Sequence, residues 1–90
     1  MTRAKFKVNR IERSMTTGVV GEKDGKKVYG SVEVQTVKLS PVYSDDPGSE
    51  NKKFWEASPS GIIELGVVNK AAWSAFELDK EYYVDFTQAE

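Results

Sequence analysis

The sequence predicts a mainly β (α+β) fold, either a small, strongly bent antiparallel sheet or a five-stranded barrel of the oligonucleotide-binding (OB) or SH3-like kind, with one short helix before the last strand. Three observations carry this expectation. Residues 3 to 9 alternate apolar and charged side chains, the period of a half-buried strand. Asp24-Gly25 is a turn dipeptide that tolerates the positive φ angles of a tight hairpin. Helical spacing shows in only one segment, after Asn69, and it is too short for the crossovers a parallel sheet needs.

In the first strand Ala4, Phe6 and Val8 share one face, with Lys5, Lys7 and Asn9 on the other; Ile11 breaks the phase, so a bulge is expected near Asn9 and Arg10. Val19 and Val20 before the Asp24-Gly25 turn, and Val28 and Tyr29 after it, mark the two arms of a hairpin. The return arm runs on towards Tyr43 but changes phase. Val28, Val32 and Val34 are even-numbered, whereas Val37 and Leu39 are odd, and a second bulge near Gln35 and Thr36 would reconcile them. Residues 44 to 60 are rich in Ser, Asp, Pro, Gly and Asn and read as a long loop.

Residues 62 to 68 read as a core strand with Ile63, Leu65 and Val67 inward. Asn69 is placed to cap a helix over 70 to 77, in which Ala72, Trp73 and Phe76 fall on one side. Residues 81 to 87 form the last strand, Tyr82, Val84 and Phe86 alternating with Tyr83 and Asp85. The 90 residues thus make one domain, with a hairpin elaboration at about 15–31 and the long loop at about 44–60.

Composition removes several kinds of function. There is no cysteine and no histidine, so thiolate chemistry, sulfur-bound zinc, histidine general-base catalysis and Ser-His-Asp arrangements are all unavailable. Asp45, Asp46, Glu50 and Glu56 lie in a polar segment where solvated carboxylates are the ordinary outcome. A non-enzymatic role with no cofactor and no metal is expected. The apolar stretch 62 to 68 is far shorter than the roughly 20 residues of a spanning helix. The N-terminus lacks the continuous apolar run of a signal peptide, and cytoplasmic residence follows as the expectation.

Charge is divided unevenly. Residues 1 to 40 hold nine Lys/Arg against four acids, a balance of +5, and residues 41 to 90 hold four Lys against ten acids, a balance of −6. Complementarity between strands or subunits accounts for such a split, as does a basic surface for an anion.

The binding candidates lie where charge reverses locally. Within the acidic half, Lys52 and Lys53 precede Phe54 and Trp55 in a polar stretch, a pattern suited to stacking a flat ring on an aromatic while a lysine meets a phosphate. The plainer explanation is that one aromatic anchors the loop to the core. Ser58 and Ser60, around Pro59 and before Gly61, offer a turn whose N–H groups can meet an anion. Arg3, Lys5 and Lys7 form a second basic row; on an edge strand such a row usually guards against sheet-to-sheet aggregation. A single loop supplies few contacts, which favours a site shared between the subunits of a homo-oligomer.

The segments Arg3 to Val8, Thr36 to Tyr43, Asn51 to Gly61 and Lys80 to Thr87 resemble a group of small accessory proteins of tailed bacteriophages. Those relatives commonly read Asn-Pro at the helix start, where this chain has Asn69-Lys70. The group has no catalytic motif to carry over. The resemblance implies a phage origin and a place in the bacterial host cytoplasm. Small phage proteins of this size without catalytic residues often act on the host by binding, so the expected action, drawn from that kind rather than from a motif, is antagonising host defence by sequestering a nucleotide-like anionic signal, or by binding a host protein. A single-stranded nucleic-acid binding module and a minor structural phage protein are the alternatives. The overall net charge of −1 weighs against nucleic acid.

Overall fold

A computed structural model describes residues 2–90. Four strands form one open antiparallel sheet. They are β1 (Thr2–Lys23), β2 (Lys26–Pro41), β3 (Ile63–Val67) and β4 (Glu81–Phe86), in the order β3-β2-β1-β4. Between β2 and β3 stands a short helix, α1 (Glu50–Trp55), and a 3₁₀ helix (Lys70–Ala75) precedes β4.

The sheet does not close. Of the two forms expected, the five-stranded barrel is ruled out: the described residues form four strands, and β3 and β4 end as separate edges. Closure fails because both edge strands are short. β4 pairs only with residues 2–7 of β1, and β3 only with 35–39 of β2. The polar stretch 44–60 carries α1 within it, and the helix expected over 70–77 is a 3₁₀ segment. Asn69 caps that segment, its side-chain oxygen accepting from the Ala71 N–H at 3.1 Å.

The sheet's inner face follows from the alternation of β1. Ala4, Phe6, Val8, Val37 and Leu39 are buried, and Ile11, Ile63, Tyr82 and Val84 pack partly buried around them. Each fully buried side chain of this size contributes about 1.5–3 kcal/mol. The expected bulge is present, with a register shift between Val8 and Arg10 that restores Ile11 to the inner face opposite Val37. At Asp24 (φ 53°) and Gly25 (φ 75°) the backbone takes the two positive angles of a type I′ turn.

The bulge expected near Gln35 and Thr36 is absent. Arg13, Glu12 and Ile11 oppose Gln35, Thr36 and Val37 in unbroken register, and β3 follows the same segment without a shift. Residues directly opposite in an antiparallel pair share a face. Val28, Val32 and Val34 therefore lie on the outer face of the sheet, Val37 and Leu39 on the inner one. The second irregularity lies instead between Val19 and Gly21.

β1 and β2 continue well past their neighbours as a two-stranded ribbon made by residues 12–34. The molecule accordingly measures 58 × 32 × 19 Å.

Candidate functional site

The stretch that leads into α1 is polar, and its local hydrogen bonds explain why it winds into a helix. The Asp46 carboxylate accepts from the Gly48 N–H (2.9 Å), tightening the turn before the helix. The Ser49 hydroxyl then caps the helix by accepting from the Lys52 N–H (3.1 Å). Glu50 in the first turn and Lys52 and Lys53 in the last complement the helix dipole. Glu56 ends the helix in the left-handed region, φ 57°, its N–H donating to the Lys52 carbonyl at 2.8 Å.

Asn51 fixes this helix to the sheet, and sequence reasoning assigned it no role. Its side chain is buried and inserts between Lys5 and Val42 where β2 leaves the sheet. Its carboxamide oxygen accepts from the Lys5 N–H (2.5 Å), while its nitrogen donates to the carbonyls of Lys5 (2.8 Å) and Val42 (2.6 Å). A side-chain amide thus takes the place of a backbone peptide in the ladder.

So anchored, α1 lays its aromatics over one end of the inner face. Trp55 meets Phe6 edge to face at 5.9 Å, and its indole N–H donates to the Ser60 carbonyl at 3.1 Å. Trp55 is thus the anchoring member of the aromatic pair. Phe54 stands outside it, 42% exposed, 4.4 Å from the Trp55 ring and 6.0 Å from that of Phe86.

Thr2, Arg3, Glu50, Lys53 and Phe54 line one open pocket of about 290 Å³. Here the structure brings together members of both basic groups found in the sequence. Arg3 is held in place by Asp85, which accepts from its Nε at 2.6 Å and from its Nη2 at 3.0 Å. That hydrogen-bonded pairing lowers the Asp85 carboxyl below its ordinary range and raises the guanidinium further. The Arg3 guanidinium also lies 4.9 Å from the Tyr83 ring centre.

The other candidates are placed elsewhere. Lys52 turns back along the helix, its ammonium donating to the Glu56 carbonyl at 3.3 Å. Lys5 pairs with Glu81 at 3.9 Å and lies over the Tyr83 ring, lining a separate small recess beside Asn51. Lys7 and Ser58 are exposed and line neither recess. Ser60 serves through its carbonyl, in the bond to Trp55. The row Arg3, Lys5 and Lys7 does not lie on an edge strand, because β1 is central and β4 pairs along all three positions. Its charges face Asp85 and Glu81 of β4, so at Arg3–Asp85 and Lys5–Glu81 the basic and acidic halves meet as complementary neighbouring strands.

A second groove, about 720 Å³, lies between the ribbon and the 3₁₀ helix. Its lysine, Lys70, is already engaged by Glu33 at 3.8 Å and by the Trp73 ring at 5.7 Å. Among the described residues, Lys53 makes no ion pair, and this favours the α1 pocket for an anion. No helix among the described residues is long and apolar enough to cross a membrane.

Fold and site define a small open-sheet protein with a projecting ribbon and an aromatic, cation-bearing pocket on a short capped helix. No family model, no curated protein and no solved structure matches the chain.

Proposed function

We propose that this protein acts by binding rather than by catalysis, taking a small anion with a flat ring, of the nucleotide class, at the α1 pocket. The observation that supports this most directly is the convergence of Lys53, Phe54 and Arg3 on one opening. Phe54 offers the stacking face, worth about 1–3 kcal/mol for one base. Lys53 supplies the cation that meets a phosphate, and Arg3, its charge balanced by Asp85, offers its remaining guanidinium N–H groups at the rim, the lining also carrying the Glu50 carboxylate. At about 290 Å³ the pocket stands at the lower edge of the roughly 300–1,000 Å³ usual for ligand sites and is open to solvent, which favours completion of the site by a second subunit of a homo-oligomer. The wider role rests on the resemblance to phage accessory proteins: sequestering a nucleotide signal of host defence in the cytoplasm of the bacterial host.

The test is a thermal-shift panel of cyclic and linear nucleotides on the intact protein. A ligand at about 100 times its Kd adds about 2.7 kcal/mol of stability. A shift that is lost in both Phe54→Ala and Lys53→Ala supports the proposal; a flat panel overturns it.

A second reading is favoured by the adjoining exposure of Phe54 (42%) and Phe86 (49%), which suits an aromatic anchor for a host protein. Single-stranded nucleic acid is the third reading, and its signature is oligonucleotide binding that weakens steeply as salt rises.

A further inference from the structure

The ribbon of residues 12–34 presents an outer face that the rest of the described chain covers only at its root, where Val34 lies beside Gly66 of β3; Val20 and Val28 are exposed and Val32 is half-buried. From the pairing register, this face carries Val28, Gly30, Val32 and Val34 of β2 opposite Ser14, Thr16 and Gly18 of β1. Val20, at the irregularity, leans onto it as well, since a Cβ built on Gly30 would lie 3.1 Å from Val20 Cγ1. A Cβ on Gly18 would meet Val32 Cγ2 at 2.6 Å. Val32 and Val20 therefore each lie across a glycine of the opposite strand. The result is a level apolar surface with no charged residue between Glu12 at the root and Lys23 and Lys26 at the tip.

Such a surface is costly in a lone chain. A two-stranded ribbon is at best marginally stable in water without a packed face. Its exposure also enlarges the whole molecule. The accessible surface is 6668 Å², whereas a compact monomer of this mass exposes about 5,300 Å². The radius of gyration is 17.3 Å, against about 12 Å for a compact domain of this length.

We infer that the outer face of the ribbon is the interface of a homodimer, in which the ribbons of two copies stack face to face around a two-fold axis. Three features select a second copy as occupant. The surplus surface, roughly 1,400 Å² per chain, is spread over both faces of the ribbon, so burying about half of it in each copy removes about 1,400 Å² for two copies, the size of a standard specific interface. A level, uncharged valine face is complementary to itself, as a two-fold interface requires. An antiparallel stack also sets Lys23 and Lys26 at the tip of one ribbon against the root of the other. There the outer face carries Arg10, Lys38, Glu12 and Glu64; Glu12 pairs with Arg10 and Lys38, which leaves Glu64, with no ion pair among the described residues, to take a tip lysine. The inference rests only on the oligomeric part of the proposed function and is independent of the ligand.

Light scattering on the intact protein tests it. The mass should be twice the 10.1 kDa of the chain, and Val20→Lys combined with Val28→Lys should halve it while the far-ultraviolet circular dichroism is retained. A wild-type mass of one chain at every concentration tried overturns the inference, as does a dimer that survives both lysines. Should the double variant misfold, single cysteines in this cysteine-free chain decide the matter with a bifunctional thiol cross-linker spanning two stacked sheets. Thr16→Cys, on the outer face, should give a covalent dimer and Thr17→Cys, on the inner face, should not; failure at 16 or equal yield at both overturns it. Phe54→Ala should leave the mass unchanged, which separates failure of the interface from failure of the ligand site.

Discussion

The carboxamide of Asn51 holds both backbone groups of Lys5, accepting from its N–H at 2.5 Å and donating to its carbonyl at 2.8 Å. It stands where Pro41 and Val42 carry β2 away from the sheet, and without it the Lys5 N–H would be an unpaired donor in a half-buried strand. One side chain therefore links the end of the ladder to the position of α1, and through α1 to the pocket.

Asn51→Ala should consequently cost more than an ordinary hydrogen-bonding substitution. It leaves the Lys5 N–H and the Val42 carbonyl without their partner, at about 1–3 kcal/mol for each buried group left unsatisfied. A loss of about 2–3 kcal/mol in urea unfolding is expected. Asn51→Asp should rescue little, because a carboxylate cannot donate to either carbonyl. Equal stability of Asn51→Ala and wild type would show that α1 is held by its aromatics alone.

Much of this fold is legible in the sequence where one physical signal dominates. The alternation of Ala4, Phe6 and Val8 places the core strand, and Asp24-Gly25 places the turn because few other dipeptides accept two positive φ angles. Asn69 reads correctly as a cap. By contrast, α1 is hidden: four of its six residues are polar and it spans only one and a half turns, and what makes it helical is Ser49 as cap and Asn51 as tether, a contact 46 residues away in sequence. The phase change along β2 was ambiguous for a different reason. A strand with valines on both faces and a strand with a bulge give the same pattern, and only the pairing of Gln35 with Arg13 distinguishes them. The site was half legible: Lys53 and Phe54 stand out as a basic and aromatic pair, but their meeting with Arg3 depends on β1 being central.

Trp55 and Phe54 should separate cleanly under mutation. Trp55 packs on Phe6 and donates to Ser60, so Trp55→Ala removes core contact and an anchored loop. A loss of about 2–3 kcal/mol is expected, below the 3–5 of fully buried Trp because the ring is only partly buried. Phe54→Ala, at a more exposed ring, should cost less than about 1 kcal/mol in urea unfolding while removing ligand-induced stabilisation. The opposite order would place Phe54 in the core and leave the pocket without its stacking face.

The Arg3–Asp85 pair predicts a limb in the acid stability profile. The hydrogen bond from Arg3 depresses the Asp85 carboxyl in the folded state, so the pair's contribution is present above the unfolded value of about 3.9 and is lost as pH falls through the lower, folded one. Arg3 stays charged throughout. Thermal unfolding of wild type and Asp85→Asn should therefore differ at pH 6, converge below about pH 4, and coincide once the wild-type carboxyl is protonated. A gap that persists undiminished at the lowest pH would assign the effect to something other than this ionisation.

The ribbon makes a prediction in which the sign of a single substitution depends on its neighbour. Gly18→Ala should lower the entropy of the unfolded chain, a gain of about 0.4–1 kcal/mol. In the fold, however, the added methyl meets Val32 Cγ2 at 2.6 Å, inside contact distance, and Val32 is β-branched and stiff at χ1. Overpacking of this kind costs about 1–3 kcal/mol, so the net result should be destabilising. In a Val32→Ala background the obstruction is gone, and the same Gly18→Ala change should become neutral or mildly stabilising, a coupling that a double-mutant cycle in urea measures directly. Gly21→Ala serves as the internal comparison. Its Cβ would meet nothing within 4 Å, and it should stabilise in either background. If Gly18→Ala were stabilising with Val32 present, the valine could not lie across the glycine, and the level outer face on which the ribbon interface depends would not exist.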